Sequence, residues 1–157
     1  MTASSSTGDL ACRDCSLVAL SPTNDVSPYC TRVPLEPGLA AKVVLEVGAD
    51  DTALAFHSGD VPVLATPRLI ALCEEASLEA ISGLLPEGST TVGMRVQFDH
   101  LAPTAVGHSV SAEATLERIE GRRLTFTVSA TDDRGLVAAG KVTRVVVDVK
   151  KFLDKSL

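Results

Sequence analysis

Three side chains combine types and spacing that could do acid–base or acyl-transfer chemistry: Thr66, Glu74 and His100. Glu74 belongs to a stretch, Thr66 to Leu85, whose apolar residues repeat at a helical period. On a wheel of about 100° per residue, Arg68, Glu75, Glu79 and Ser82 gather on one solvent-facing stripe. Glu74 lies roughly 110° from the centre of that stripe, among Ile70, Leu78, Ile81 and Leu85. A carboxylate on an apolar flank is costly unless partnered, and desolvation raises its pKa, which marks it as a candidate base or nucleophile. The plainer reading is an edge residue whose stem packs while its head reaches water.

By period two, His100 shares the face of Met94, Val96 and Phe98, the expected core face. A lone histidine there is more often a satisfied core residue than a catalytic one. A second ionisable group facing it across a helix–sheet interface shifts that balance, and a helix laid on the sheet would bring the Glu74 side and the His100 side together. Thr66 reads as the N-cap of the helix, with Pro67 at the first helical position, where its missing N–H costs nothing. A helix N-terminus also presents free N–H groups and a positive dipole end, which suit a developing oxyanion. Thr66 and Glu74 are roughly 12 Å apart along a straight helix. Either Thr66 lies outside the helix and folds back, or a second copy of the chain completes the site. His57 and His108 receive no role.

The elements that must position these residues follow from the hydrophobic pattern. Residues 1–37, rich in Ser, Thr and Asp with four prolines at 22, 28, 34 and 37, hold no period and read as a flexible or loosely packed extension. The folded unit spans 38–157. Ala41–Val47 reads as a strand, Asp50–Leu64 as irregular and Thr66–Leu85 as the helix, stopped by Pro86-Glu87-Gly88. After Gly88 the chain alternates. Val110, Ala112, Ala114 and Leu116 form one apolar face; Leu124, Phe126, Val128 and Ala130 form another. Glu120-Gly121-Arg122 and Asp132-Asp133-Arg134-Gly135 are hairpin chemistry, a last strand runs from about Leu136 to Val149, and a short terminal helix follows. One strand, one long helix and four antiparallel strands make an α+β layout with the helix across one face of the sheet.

Composition bounds the function. The 157 residues carry a net charge of −6 and 3% aromatics. That sign disfavours nucleic acid and anionic membranes, and so few rings leave no base-stacking platform. No run nears the roughly 18 apolar residues a membrane span needs. The N-terminus lacks the basic and apolar regions of an export signal, so the expected compartment is the cytoplasm. Cys12 and Cys15 form a CxxC with no second half, and Cys30 stands alone; reduced thiols in a tail are the expectation, with a zinc-stabilised interaction protein as a distant alternative. Cys73 reads as a small buried hydrophobe.

From Val61 to Phe152 the chain resembles the fluoroacetyl-CoA thioesterase family of hot-dog proteins. The resemblance lies in ATP at Ala65–Pro67, the helix with Glu74, the spacing Gly93…His100…Gly107, and EGRRLTFTVSATDD at Glu120–Asp133. It implies a hot-dog fold, an antiparallel five-stranded sheet wrapped around one long central helix. It implies a homodimer with joined sheets and active sites at the interface; further pairing into a tetramer is left open. It places the family's catalytic threonine, glutamate and histidine on Thr66, Glu74 and His100, and a glycine of the site wall on Gly93. Upstream of the threonine the chain has Asp60-Val61-Pro62-Val63-Leu64 in place of a phenylalanine-rich lid, so the expectation is hydrolysis of a small or medium acyl-CoA rather than fluoroacetyl selectivity.

The expected mechanism uses backbone N–H groups from Thr66 to Arg68, across Pro67, to polarise the thioester carbonyl, with Glu74 attacking or activating water. His100 would orient the nucleophile or protonate the departing thiolate, and Thr66 would position substrate or water or act as nucleophile itself. No metal and no cofactor are required, CoA entering as part of the substrate. Its phosphates need a local basic patch, for which Arg122 and Arg123 are the first candidates, with Lys141, Arg144, Lys150 and Lys151 beside them. The competing readings are a non-catalytic acyl-CoA-binding module and a hot-dog hydratase or dehydratase.

Overall fold

The computed structural model describes residues 34–157, so the expectations on Cys12, Cys15 and Cys30 lie outside the described residues. The element order is β1 (Ala40–Glu46), a 3-10 turn (Ala49–Asp51), α1 (Thr66–Glu79), β2 (Ser89–His100), β3 (Ser109–Glu120), β4 (Arg123–Asp132), β5 (Gly135–Asp148) and α2 (Val149–Leu153). The five strands form one antiparallel sheet in the order β1-β3-β4-β5-β2. This is the expected α+β layout of one long helix on a five-stranded sheet.

The alternation read along β3 and β4 sets the core. Val110, Ala112, Ala114 and Leu116 face Leu124, Phe126, Val128 and Ala130 across the strand pair, and all are buried. Leu69, Leu72, Cys73 and Ala76 of α1 complete the cluster. Each large side chain so buried contributes about 1.5–3 kcal/mol relative to exposure. The β3–β4 hairpin closes through Gly121, whose φ of 60° is the left-handed conformation a two-residue turn demands. Cys73 is the small buried hydrophobe expected of it, its thiol pushed up to about 12 by burial and therefore unreactive.

Three boundaries differ from the sequence reading. The helix ends at Glu79 rather than Leu85: Ala80 is its C-cap, the chain continues in turns, and Gly83 takes a φ of 71°. Its N-cap is Ala65, with Thr66 already inside the first turn; no side chain among the described residues caps it, and the Ala65 N–H donates to the Asp51 carbonyl at 2.8 Å. Leu35, placed in the extension by sequence, packs against the core.

The largest difference is in β2, whose Met94 and Val96 were expected on the core face. Met94 is 51% exposed and Val96 is exposed too, while Phe98 alone of the three packs on the core. Two features cause this. A bulge between Gly93 and Arg95 resets the alternation against β5. β2 is also an edge strand among the described residues, and α1 packs chiefly over β1 and β3 and meets β2 at few places, Glu74 against Gly93 among them.

Candidate active site

Two polar pairs lie along α1. The first joins the start of the helix to the end of β2. Thr66 Oγ1 and His100 Nδ1 share a hydrogen bond of 2.8 Å. With the neutral ring protonated on Nε2, the hydroxyl donates to Nδ1, the arrangement of a nucleophile and its base. The backbone on both sides is tied down. Leu64 N–H donates to the Thr104 carbonyl at 2.8 Å, and Leu101 N–H donates to the Val137 carbonyl at 2.7 Å. His100 Nε2 is buried and has no hydrogen-bond partner among the described residues. His100 also lines a cavity of about 210 Å³ with Val63, Leu101, Ala102 and Pro103.

The second pair sits two turns further along. Glu74 was expected beside His100; its partner in the chain is instead Arg144 of β5, Nη1 donating to Oε1 at 2.9 Å. Arg144 is 5% exposed and fully engaged, its Nε donating to Thr91 Oγ1 at 2.9 Å and its Nη2 to the Thr91 carbonyl at 3.0 Å. Burial holds the guanidinium below its ordinary pKa, and the Glu74 carboxylate opposes that shift, so it stays a cation. The Glu74 side chain keeps 32% of its surface open. It borders a cavity of about 390 Å³ with Gly93, Met94, Arg95 and Val96.

Gly93 is a wall in the literal sense. A Cβ there would collide with Glu74 Oε1, so a larger residue requires the carboxylate to move off its place on Arg144. Gly93→Ala is therefore expected to displace Glu74 from Arg144 and lower kcat/KM by about tenfold or more, a displacement of this kind costing up to 10²-fold. Steady-state hydrolysis beside a melting curve checks this; a variant with wild-type rate would show that the carboxylate need not sit where it does.

The basic patch resolves into separate roles. Arg144 does not face a phosphate; it is buried under Glu74. Lys141 is paired with Glu117 at 2.8 Å. Arg122 and Arg123 line a cavity of about 460 Å³ with Glu120, Met94 and Val145, and Met94 also lines the Glu74 cavity, so the two adjoin. Pro67 is exposed beside Thr66 and has no N–H, which leaves Thr66 and Arg68 as the first-turn donors at the helix end.

Arg144 is the site residue that sequence reasoning placed wrongly. By period two it shares the buried face of Val142, so a charge stood where an apolar residue was due. That is the same kind of signal that singled out Glu74.

A family model for fluoroacetyl-CoA-specific thioesterases (FlK) matches residues 47–150. The chain belongs to that family. The fluoroacetyl-CoA thioesterase of Streptantibioticus cattleyicolor is 34% identical over 93 residues, 59% of this chain and 67% of that enzyme. A solved structure of the fluoroacetyl-CoA thioesterase FlK superposes with a TM-score of 0.74 at 27% identity, over 78% of this chain and 95% of that one. A Thermus thermophilus thioesterase-superfamily protein gives a TM-score of 0.71 at 27% identity, over 78% of this chain and 90% of that one. The fold is thus the hot-dog fold of this family, and the chain is a thioester hydrolase by family.

Proposed function

We propose that the protein hydrolyses a small acyl-CoA to the free acid and CoA, with Thr66, His100 and Glu74 as catalytic residues. The observation that carries this reading is the 2.8 Å bond between the Thr66 hydroxyl and His100 Nδ1 at the positive end of α1, in a chain of a thioesterase family. The thioester carbonyl accepts from the first-turn N–H groups of Thr66 and Arg68, which favour the charge developing on oxygen. Thr66 Oγ attacks the carbonyl carbon and its proton passes to His100. The C–S bond breaks, and His100 returns that proton to the departing thiolate. Water then cleaves the acyl ester on Thr66, with a carboxylate as its base.

Thr66 lies inside the helix, so it does not fold back onto the Glu74 of its own chain. A second copy completes the site: Thr66 and His100 from one protomer, the partner's Glu74 from the other. The edge of β2, unpaired among the described residues and with Met94 and Leu101 exposed, supports a homodimer joined along that strand. The adjoining cavities support a bound CoA that crosses Met94 and sets its phosphates on Arg122 and Arg123.

The test is a panel of acyl-CoAs with release of acid and thiol both measured, on the wild type and on Thr66→Ala and His100→Ala. Each variant is expected to lose about 10²-fold or more in kcat/KM. Mixing Thr66→Ala with Glu74→Gln should restore activity through mixed dimers; no recovery would reject the shared site. KM should rise with salt if the two arginines hold phosphates. Wild-type rates in both single variants would end the assignment.

A further inference from the structure

Thr104 is fully buried in the loop that follows β2 and His100, and its backbone pairs with the segment leading into Thr66. Its carbonyl accepts from Leu64 N–H at 2.8 Å, two residues before Thr66. Its hydroxyl donates to Asp132 Oδ2 at 3.0 Å. It also lies four residues after His100, next to Pro103, which lines the His100 cavity. The neighbouring bridge Val63–Ala105 extends the same backbone pairing.

Asp132, at the end of β4, anchors this arrangement. Its side chain is 2% exposed. Oδ1 accepts from Arg134 N–H at 2.8 Å, and Oδ2 accepts from Arg134 Nη2 at 3.0 Å as well as from Thr104. Arg134 Nη2 donates in turn to the Pro103 carbonyl. Burial pushes the Asp132 carboxyl up, but the bonds from Arg134 and Thr104 outweigh it and hold it below the usual carboxylate range. The β4–β5 hairpin therefore grips the 103–104 segment at two points, the Pro103 carbonyl and the Thr104 hydroxyl, and the extended residues just before Thr66 pair with that segment.

We propose that Thr104 and Asp132 are positioning residues for the reaction: the Thr104 hydroxyl on Asp132 fixes the segment that sets the separation of Thr66 Oγ from His100 Nδ1. Neither residue touches substrate in this scheme. It rests on the assignment of Thr66 and His100 above. Its energetic logic is that of any near-attack geometry, in which a misplacement of about 1 Å can cost on the order of 10²-fold.

The experiment compares Thr104→Val, Thr104→Ser and Asp132→Asn with the wild type. Thr104→Val removes the hydroxyl at nearly constant volume and should lower kcat about tenfold with KM little changed, since no substrate contact is lost. Thr104→Ser restores the donor and should restore most of kcat. Asp132→Asn should fall between them. Ring ¹⁵N shifts of His100, read without substrate, supply the measurement a merely structural role would not move: in Thr104→Val the Nδ1 signal should lose its hydrogen-bonded shift while the melting curve still shows a folded protein. A hydrogen-bonded Nδ1 and wild-type kcat in folded Thr104→Val overturn the proposal. If Thr104→Val does not fold, Asp132→Asn against Thr104→Ser decides by the same two readouts. If Thr66→Ala and His100→Ala are fully active, the site assignment fails instead, and the ring shifts alone still report whether Thr104 sets the pair.

Discussion

Glu74→Gln is expected to lower kcat/KM by about 10²-fold or more while the protein stays folded, the loss typical of a general base. Glutamine keeps the length and an acceptor oxygen for Arg144 Nη1, so the bond now at 2.9 Å can survive. What disappears is the negative charge and with it the capacity to take a proton from water. Activity and melting temperature therefore separate in this variant. Hydrolysis of a short acyl-CoA beside a thermal melt tests it. A folded Glu74→Gln enzyme at wild-type rate would leave the carboxylate as no more than the counterion of a buried arginine.

Arg144→Met should produce the largest loss of stability among the site variants. The guanidinium makes three bonds from a buried position, to Glu74 and twice to Thr91. Its removal strands a carboxylate and a backbone carbonyl. Breaking a fully buried pair costs about 3–5 kcal/mol, and the partial exposure of Glu74 brings the expected value down to roughly 2–3 kcal/mol. Activity should fall with it, since the carboxylate loses the group that aims it. The double variant Glu74→Leu/Arg144→Met is the instructive one. With neither charge left, it should recover much of the stability and none of the activity. Chemical denaturation of the four proteins of that cycle gives the coupling directly. If the double variant were as unstable as Arg144→Met, the cost would lie in Thr91 and the packing of β5 rather than in the ion pair.

Much of this arrangement is legible in the order of the amino acids, and the exceptions share a cause. β3 and β4 pack on the helix along their whole apolar face, so strict alternation reports their burial faithfully. Glu74 and His100 stand out because each breaks a pattern. β2 misleads because period two assumes an unbroken ladder with a cover over it. The bulge after Gly93 and the sparse cover of the helix over that edge remove both assumptions. Which acid meets which base is out of reach for a related reason. Glu74 and Arg144 are far apart in sequence and meet only because α1 crosses the face of β5, a contact that alternation does not encode. The role of Asp132 is equally hidden, since hairpin composition explains its presence without any reference to Thr104.

The strand order also bears on how the enzyme fails. β3, β4 and β5 follow one another through short turns and pair in sequence order, whereas β2 must travel past both hairpins to reach β5. Contacts between distant segments are the costliest to close. The reactive hydroxyl and imidazole ride on α1 and β2 rather than on the meander, which supplies the supporting Arg144 and Asp132. Mild heat or denaturant should therefore silence turnover while the circular dichroism of the sheet is still intact, and assays of activity will register damage that spectroscopy overlooks.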